Sequence, residues 1–174
     1  DYMIINNWGP NERSSKSMKI FLQKGFHKIH VEYTGSENVG FLQLSWKPPG
    51  RSFGLIPAGA FFHKTKIEKD IQVKDKGLRR SLFNNYKYLG KPVNEISWNN
   101  VIDFDSIRDK TTVWEAPFSL SYEGALNITK AGIYTFRLGS IDGSKLFIDN
   151  ELMINNEKVQ IFNERLCSIR KVFD

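Results

Sequence analysis

The sequence predicts an all-β chain of antiparallel strands, each burying one face, and three stretches carry that expectation. Tyr134, Phe136 and Leu138 alternate with Thr135 and Arg137; Ile29, Val31 and Tyr33 alternate with Lys28, His30 and Glu32; Leu42, Leu44 and Trp46 alternate with Phe41, Gln43 and Ser45. Alternation at period two marks a pleated strand with one side against a core.

Taken in order, the first strand pattern runs from Lys24 to Tyr33 and the second from Phe41 to Trp46, with Thr34–Asn38 as a hairpin-like connection between them. Lys47-Pro48-Pro49-Gly50 ends the second, because proline offers no ladder donor. Residues 64–80 read as a basic connector: seven cations (Lys64, Lys66, Lys69, Lys74, Lys76, Arg79, Arg80) stand against Glu68, Asp70 and Asp75. Beyond it, Leu82–Pro92 has the aromatic content of an entry strand and loop, and Asn94–Asp105 reads as irregular, anchored by Trp98, Val101, Ile102 and Phe104. Trp114 and Phe118 lead into the core strands, and Gly139–Ser144 joins two of them, with glycines where a tight loop needs positive φ and with Asp142 held clear of the sheet. Glu151–Asn156, Lys158–Phe162 and Arg165–Phe173 supply further strand.

Composition narrows the function classes. With 174 residues, 40% hydrophobic and 13% aromatic, the chain suits one packed domain rather than a disordered segment. The net charge of +6 sits mostly in the connector, which lacks the interleaved aromatics of a nucleic-acid reader, so no nucleic-acid partner is expected. No apolar run approaches the ~20 residues of a membrane helix, so direct membrane insertion is not expected, and the start at Asp1 reads as a processed or excised piece. The single Cys167 excludes an internal disulfide and a multi-cysteine zinc site; Asn127-Ile128-Thr129 is a glycosylation triplet.

An internal repeat is present. Asp1–Asn7 recurs as Asn150–Asn156 with a shared Ile-Asn-Asn, Asn11-Glu12-Arg13 recurs as Asn163-Glu164-Arg165, and Lys19-Ile20-Phe21 recurs as Lys171-Val172-Phe173. The implied unit is about 150 residues long, and the chain begins inside one unit and ends inside the next.

Gly132–Asn150, G-I-Y-T-F-R-L-G-S-I-D-G-S-K-L-F-I-D-N, resembles the central motif of the PA14 domain, and Phe118–Leu126, F-S-L-S-Y-E-G-A-L, resembles the strand preceding it in that family. The resemblance implies an antiparallel β-sandwich of the kind found in toxins, adhesins, flocculins and glycosidases. With the repeat, it implies the C-terminal half of a PA14-like unit at 1–63, the connector at 64–80 and the N-terminal half of the next unit at 81–174, together one domain in permuted order. A domain-swapped dimer is the alternative arrangement.

In the lectin branch of the family, two successive aspartates bind calcium, which holds sugar hydroxyls; Ile141 stands in the first of those places here. The resemblance thus points to Ser140, Asp142, Gly143 and Ser144 as ligand-binding residues and to Asp142 as the calcium ligand. It implies a non-catalytic, carbohydrate-binding adhesion module of a secreted or cell-surface tandem-repeat protein, with a glycan or surface protein and neighbouring PA14-like units as partners. A structural or protein-interaction module without sugar or calcium is the second reading.

No catalytic constellation is expected. Glu115, Glu123, Asp103 and Asp105 sit in no recognisable catalytic motif, and His27 and His30 fall on opposite faces of a strand. Trp8, Trp98 and Trp114, in or beside predicted loops, could offer faces for a sugar ring to stack on, but burying so much apolar area favours each as a core plug.

Overall fold

The computed structural model describes residues 13–35, 40–64, 74–105 and 117–156, and there thirteen strands and one short 3-10 turn (Ala58–Ala60) form two antiparallel sheets. The smaller sheet runs β1 (Ser14–Leu22), β11 (Gly132–Ser140), β3 (Phe41–Lys47), β4 (Gly54–Leu55), with β9 (Asp103–Asp105) also against β3. In the larger, β13 (Glu151–Asn155), β12 (Ser144–Ile148), β2 (Gly25–Gly35) and β10 (Phe118–Ile128) follow one another. The far edge of β10 is shared by β5 (Phe61–Lys64) and β7 (Leu78–Phe83), which continue to β6 (Lys74–Lys76) and β8 (Asn94–Trp98). No described helix is long and apolar enough to cross a membrane.

The alternating residues meet between the sheets, as the patterns require. Ile29, Val31 and Tyr33 from β2 and Leu120, Tyr122 and Leu126 from β10 pack against Leu42 and Leu44 from β3 and Tyr134, Phe136 and Leu138 from β11, in one buried cluster. Trp46 lies at its margin, its ring 5.4 Å from that of Tyr134. Strands on either side of residues 65–73 interleave: β11 lies between β1 and β3, and β2 lies between β10 and β12.

Three sequence expectations are corrected. The connection after Thr34 is not a hairpin, because β2 joins the larger sheet and β3 the smaller; each buries one face in the shared core, so the alternation looks the same whether the chain turns within a sheet or crosses between sheets. The basic stretch 64–80 holds β6 and the start of β7, where Leu78 is fully buried; one core residue outweighs exposed cations that a strand carries on its outer face. Asn94–Asp105 contains β8 and β9 rather than irregular chain, although Ile102 is buried and Trp98 and Phe104 pack against the core. Lys158–Phe162 and Arg165–Phe173 lie outside the described residues, as do Trp8, Trp114, Glu115 and Cys167.

Candidate functional site

The β11–β12 connection carries the chain from one sheet to the other, and this decides what its side chains do. Ser140, Ile141 and Ser144 are buried, and only Asp142 and Gly143 are partly exposed. The Ser140 hydroxyl donates to the Asp142 carbonyl at 2.6 Å, shares a hydrogen bond with the Ser144 hydroxyl at 2.8 Å, and accepts one from the Asn156 side-chain amide at 2.9 Å. A serine hydroxyl has one donor and two acceptor sites, so Ser140 is saturated. The Asn156 backbone N–H donates to Ser144 O at 2.7 Å, and the Ser14 hydroxyl donates to Asn156 Oδ1 at 3.3 Å. This polar knot closes the seam where β1 and β13, edge strands of different sheets, approach each other.

The expectation of small polar groups clear of the sheet therefore holds only in part. Gly139 lacks positive φ, which occurs on either side of this loop, at Gly132 (153°) where β11 begins and at Asp149 (52°) and Asn150 (68°) in the turn between β12 and β13. Asp142 is the one carboxylate of residues 140–144, and its charge, after burial, adds to the forces holding the Tyr33 hydroxyl above its usual range. Calcium takes six to eight oxygens. Ser140 and Ser144 direct theirs to each other and to Asn156, Ile141 offers none, and no group of three or more His, Cys, Asp or Glu is gathered among the described residues, so this donor set does not match a calcium shell.

A different feature lies on the outer face of the larger sheet. There a cleft of about 720 Å³ is lined by side chains from β2, β5, β7, β10 and β12. Pairing register puts Phe147 beside His30, His30 beside Glu123, and Glu123 beside Arg79 in one row across four strands. In the neighbouring row Lys28 is beside Ala125 and Ala125 beside Phe62. The outward positions of β10 step through Glu123, Ala125 and Asn127, and the short side chain of Ala125 leaves room between taller neighbours.

Gly124, on the inward face between Glu123 and Ala125, allows β5 and β7 to approach β10 closely. A Cβ there would collide with the Phe62 carbonyl oxygen and lie 2.8 Å from Leu78 Cδ2, so only glycine fits where β5 and β7 both meet β10. The walls are aromatic: His30 stacks on Phe147 with ring centroids 5.3 Å apart, and Phe62 meets Phe26 edge-on at 5.2 Å. The polar groups are held in place, with Arg79 ion-paired to Glu123, His30 Nε2 3.1 Å from Ser121 Oγ, and His63 Nδ1 3.3 Å from Gly77 O. The Glu123 hydrogen bond, opposed by burial, raises the Arg79 pKa.

The other sequence candidates have structural partners. Asp105 pairs with Arg13 at 2.8 Å, and Asp103 accepts from Gln43 at 3.0 Å, tying β9 to β3. Trp98 donates to Val101 O at 3.1 Å and lies under the Arg80 guanidinium. His27 sits 2.7 Å from Asp149 and 2.9 Å from the Gln23 carbonyl, on the far side of β2 from His30. Sequence reasoning missed the cleft residues Phe62, His63, Arg79 and Phe147; the signal for two of them was an aromatic in the polar register of a strand, Phe147 between Leu146 and Ile148 and Phe62 next to Phe61.

Searches of curated proteins and of solved structures find no match to this chain. The sequence model of the PA14 domain matches residues 74–171, more than half of the 174 residues and including the motif at Gly132–Asn150. Together with the all-β sandwich, that match identifies the chain as a member of the PA14 domain family, a module that occurs in binding proteins and in glycosidases.

Proposed function

We propose that this chain is a non-catalytic, extracellular glycan-recognition module of a tandem-domain surface or secreted protein, and that it holds sugar in the cleft on the outer face of the larger sheet, without calcium. The observation that carries the reading is the pairing of aromatic walls with fixed polar groups over a small-residue floor: His30 against Phe147 on one side, Phe62 on the other, Ala125 beneath, and Glu123 and Arg79 at one end. Sugar rings offer apolar C–H faces to aromatics and hydroxyls to charged or amide groups, and a site of several hundred Å³ suits a few residues of saccharide. The inward hydroxyls of Ser140 and Ser144 support moving the ligand away from that loop. The unit organisation belongs to the same proposal: residues 1–63 supply the C-terminal half of one PA14-like unit and 81–174 the N-terminal half of the next.

Calorimetric titration against a glycan panel, with calcium and with chelator, tests it. Sub-millimolar binding that ignores the chelator, survives Asp142→Asn and is lost in Phe147→Ala is expected. Absence of any sugar ligand, or dependence on Asp142 rather than Phe147, overturns it.

A second reading, a protein-docking module, is favoured by one observation. Phe21 and Ile133, directly paired across β1 and β11, are 58% and 61% exposed on the outer face of the smaller sheet. Loss of self- or partner association in Phe21→Ser, with sugar binding intact, is the result that reading requires.

A further inference from the structure

Resting on the cleft reading above, we infer that the preferred ligand is an acidic oligosaccharide, one that carries carboxylates on separate sugar residues. Two cations and one carboxylate line the cleft: Lys28, Arg79 and Glu123. Arg79 and Glu123 are ion-paired through one terminal nitrogen of the guanidinium, which leaves further N–H donors on a group whose orientation is already fixed. Lys28 is different. Its backbone N–H is held by Asp149 at 2.9 Å, but its ammonium has no hydrogen-bond or ion-pair partner among the described residues. Two further carboxylates stand near it, Glu32 3.7 Å from His30 and Asp149 2.7 Å from His27. Counted over its lining side chains, the cleft carries a net charge of +1, with two imidazoles, His30 and His63, among them.

The spacing of the cations selects among anions. Lys28 is level with Ala125 and Arg79 with Glu123, two residues apart along β10 and on opposite sides of it. The two cations thus stand at diagonal corners of the cleft, on strands either side of β10, an arrangement that suits carboxylates on separate sugar residues better than the single carboxylate of a monosaccharide acid. His30 and Phe62, at the other two corners, flank the path between them and suit the ring faces of the intervening sugar.

The test is titration of the protein with oligogalacturonate, with the carboxyl-reduced oligomer of the same length and with monomeric galacturonate. The acidic oligomer is expected to bind at least tenfold more tightly than either, about 1.4 kcal/mol, and the difference shrinks as salt rises because the site is open to solvent. Lys28→Gln is expected to shrink the acidic-over-reduced preference about tenfold, Lys28→Arg to retain it, and Arg79→Gln to shrink it likewise; thermal melts check folding. Equal binding of acidic and reduced oligomers, or an acidic affinity untouched by both Gln variants, overturns the inference while the glycan reading stands. If no oligomer binds at all, this inference falls, and the glycan panel decides separately the reading it rests on.

Discussion

Replacing Ser140 by alanine separates a structural loop from a ligand-holding one. The Ser140 hydroxyl is fully buried and makes three hydrogen bonds, to Asp142 O, Ser144 Oγ and Asn156 Nδ2. Deleting it leaves the Ser144 hydroxyl and one N–H of Asn156 short of a partner at sites that are 2% and 3% exposed. Each orphaned buried group costs about 1 kcal/mol or more, so the total is about 2–3 kcal/mol, before any water enters the small space left behind. For a chain of this size each kcal/mol lowers Tm by about 2–4 °C, which places the expected drop at about 4–12 °C. Urea denaturation and calorimetry measure it. Asn156→Ala should cost a similar amount, and the double variant less than the sum, because both remove the same bond. A Tm within a degree of wild type for Ser140→Ala, or strict additivity, refutes the knot and returns the serine to the role of a free surface hydroxyl.

Further outcomes follow from the same geometry. Gly124→Ala, whose methyl collides with the Phe62 carbonyl, should cost about 1–3 kcal/mol and weaken sugar binding together, read by denaturation and titration on one sample. Tyr33→Phe should leave stability within about 0.5 kcal/mol of wild type or raise it, since the buried hydroxyl has no partner within hydrogen-bond geometry among the described residues, the Phe41 backbone included. His27 should make stability fall with rising pH. Burial lowers its pKa, but the Asp149 carboxylate and the Gln23 carbonyl outweigh burial and leave it raised above 6.5, and with both ring nitrogens facing acceptors the charged form is favoured. A raised folded-state pKa gives stability present below 6.5 and lost as pH climbs through the folded value, so melts between roughly pH 6 and pH 8 should show a decline that Asp149→Asn abolishes.

The inward residues of each strand were legible in sequence because burial on one face imposes a period that nothing else does: Val31, Leu44 and Phe136 all sit where alternation puts them. Sheet membership was not legible. β2 and β3 read as neighbours, yet the chain crosses the core between them, and a residue pattern that reports only which side is buried is blind to that choice. The Ser140–Ser144 segment was found as a landmark, but its serines read as exposed because their burial depends on Asn156, a partner on another strand. The cleft was invisible for the same reason, since Lys28, Phe62, Arg79 and Phe147 come from four strands and become neighbours only through register.

That interleaving makes a last prediction about how the chain holds together. In the smaller sheet β11 has β1 on one side and β3 on the other, both from before residue 65; in the larger, β2 from that same portion fills the gap between β10 and β12. A fragment of residues 74–174 would leave both edges of β11 unpaired and would expose Leu120, Leu138 and Leu146, each fully buried in the intact chain. A fragment of residues 1–64 would carry β2 and β3 with no shared sheet. Open edges and a wide apolar face cost more than either fragment can offset alone. Each fragment by itself should therefore lack near-UV dichroism and a cooperative melt, and mixing them should restore both, with a midpoint that rises with concentration because the fold has become bimolecular. A cooperative melt for either fragment alone would mean that its strands find each other without the rest, and the two-sheet pairing described here would not be what stabilises the domain.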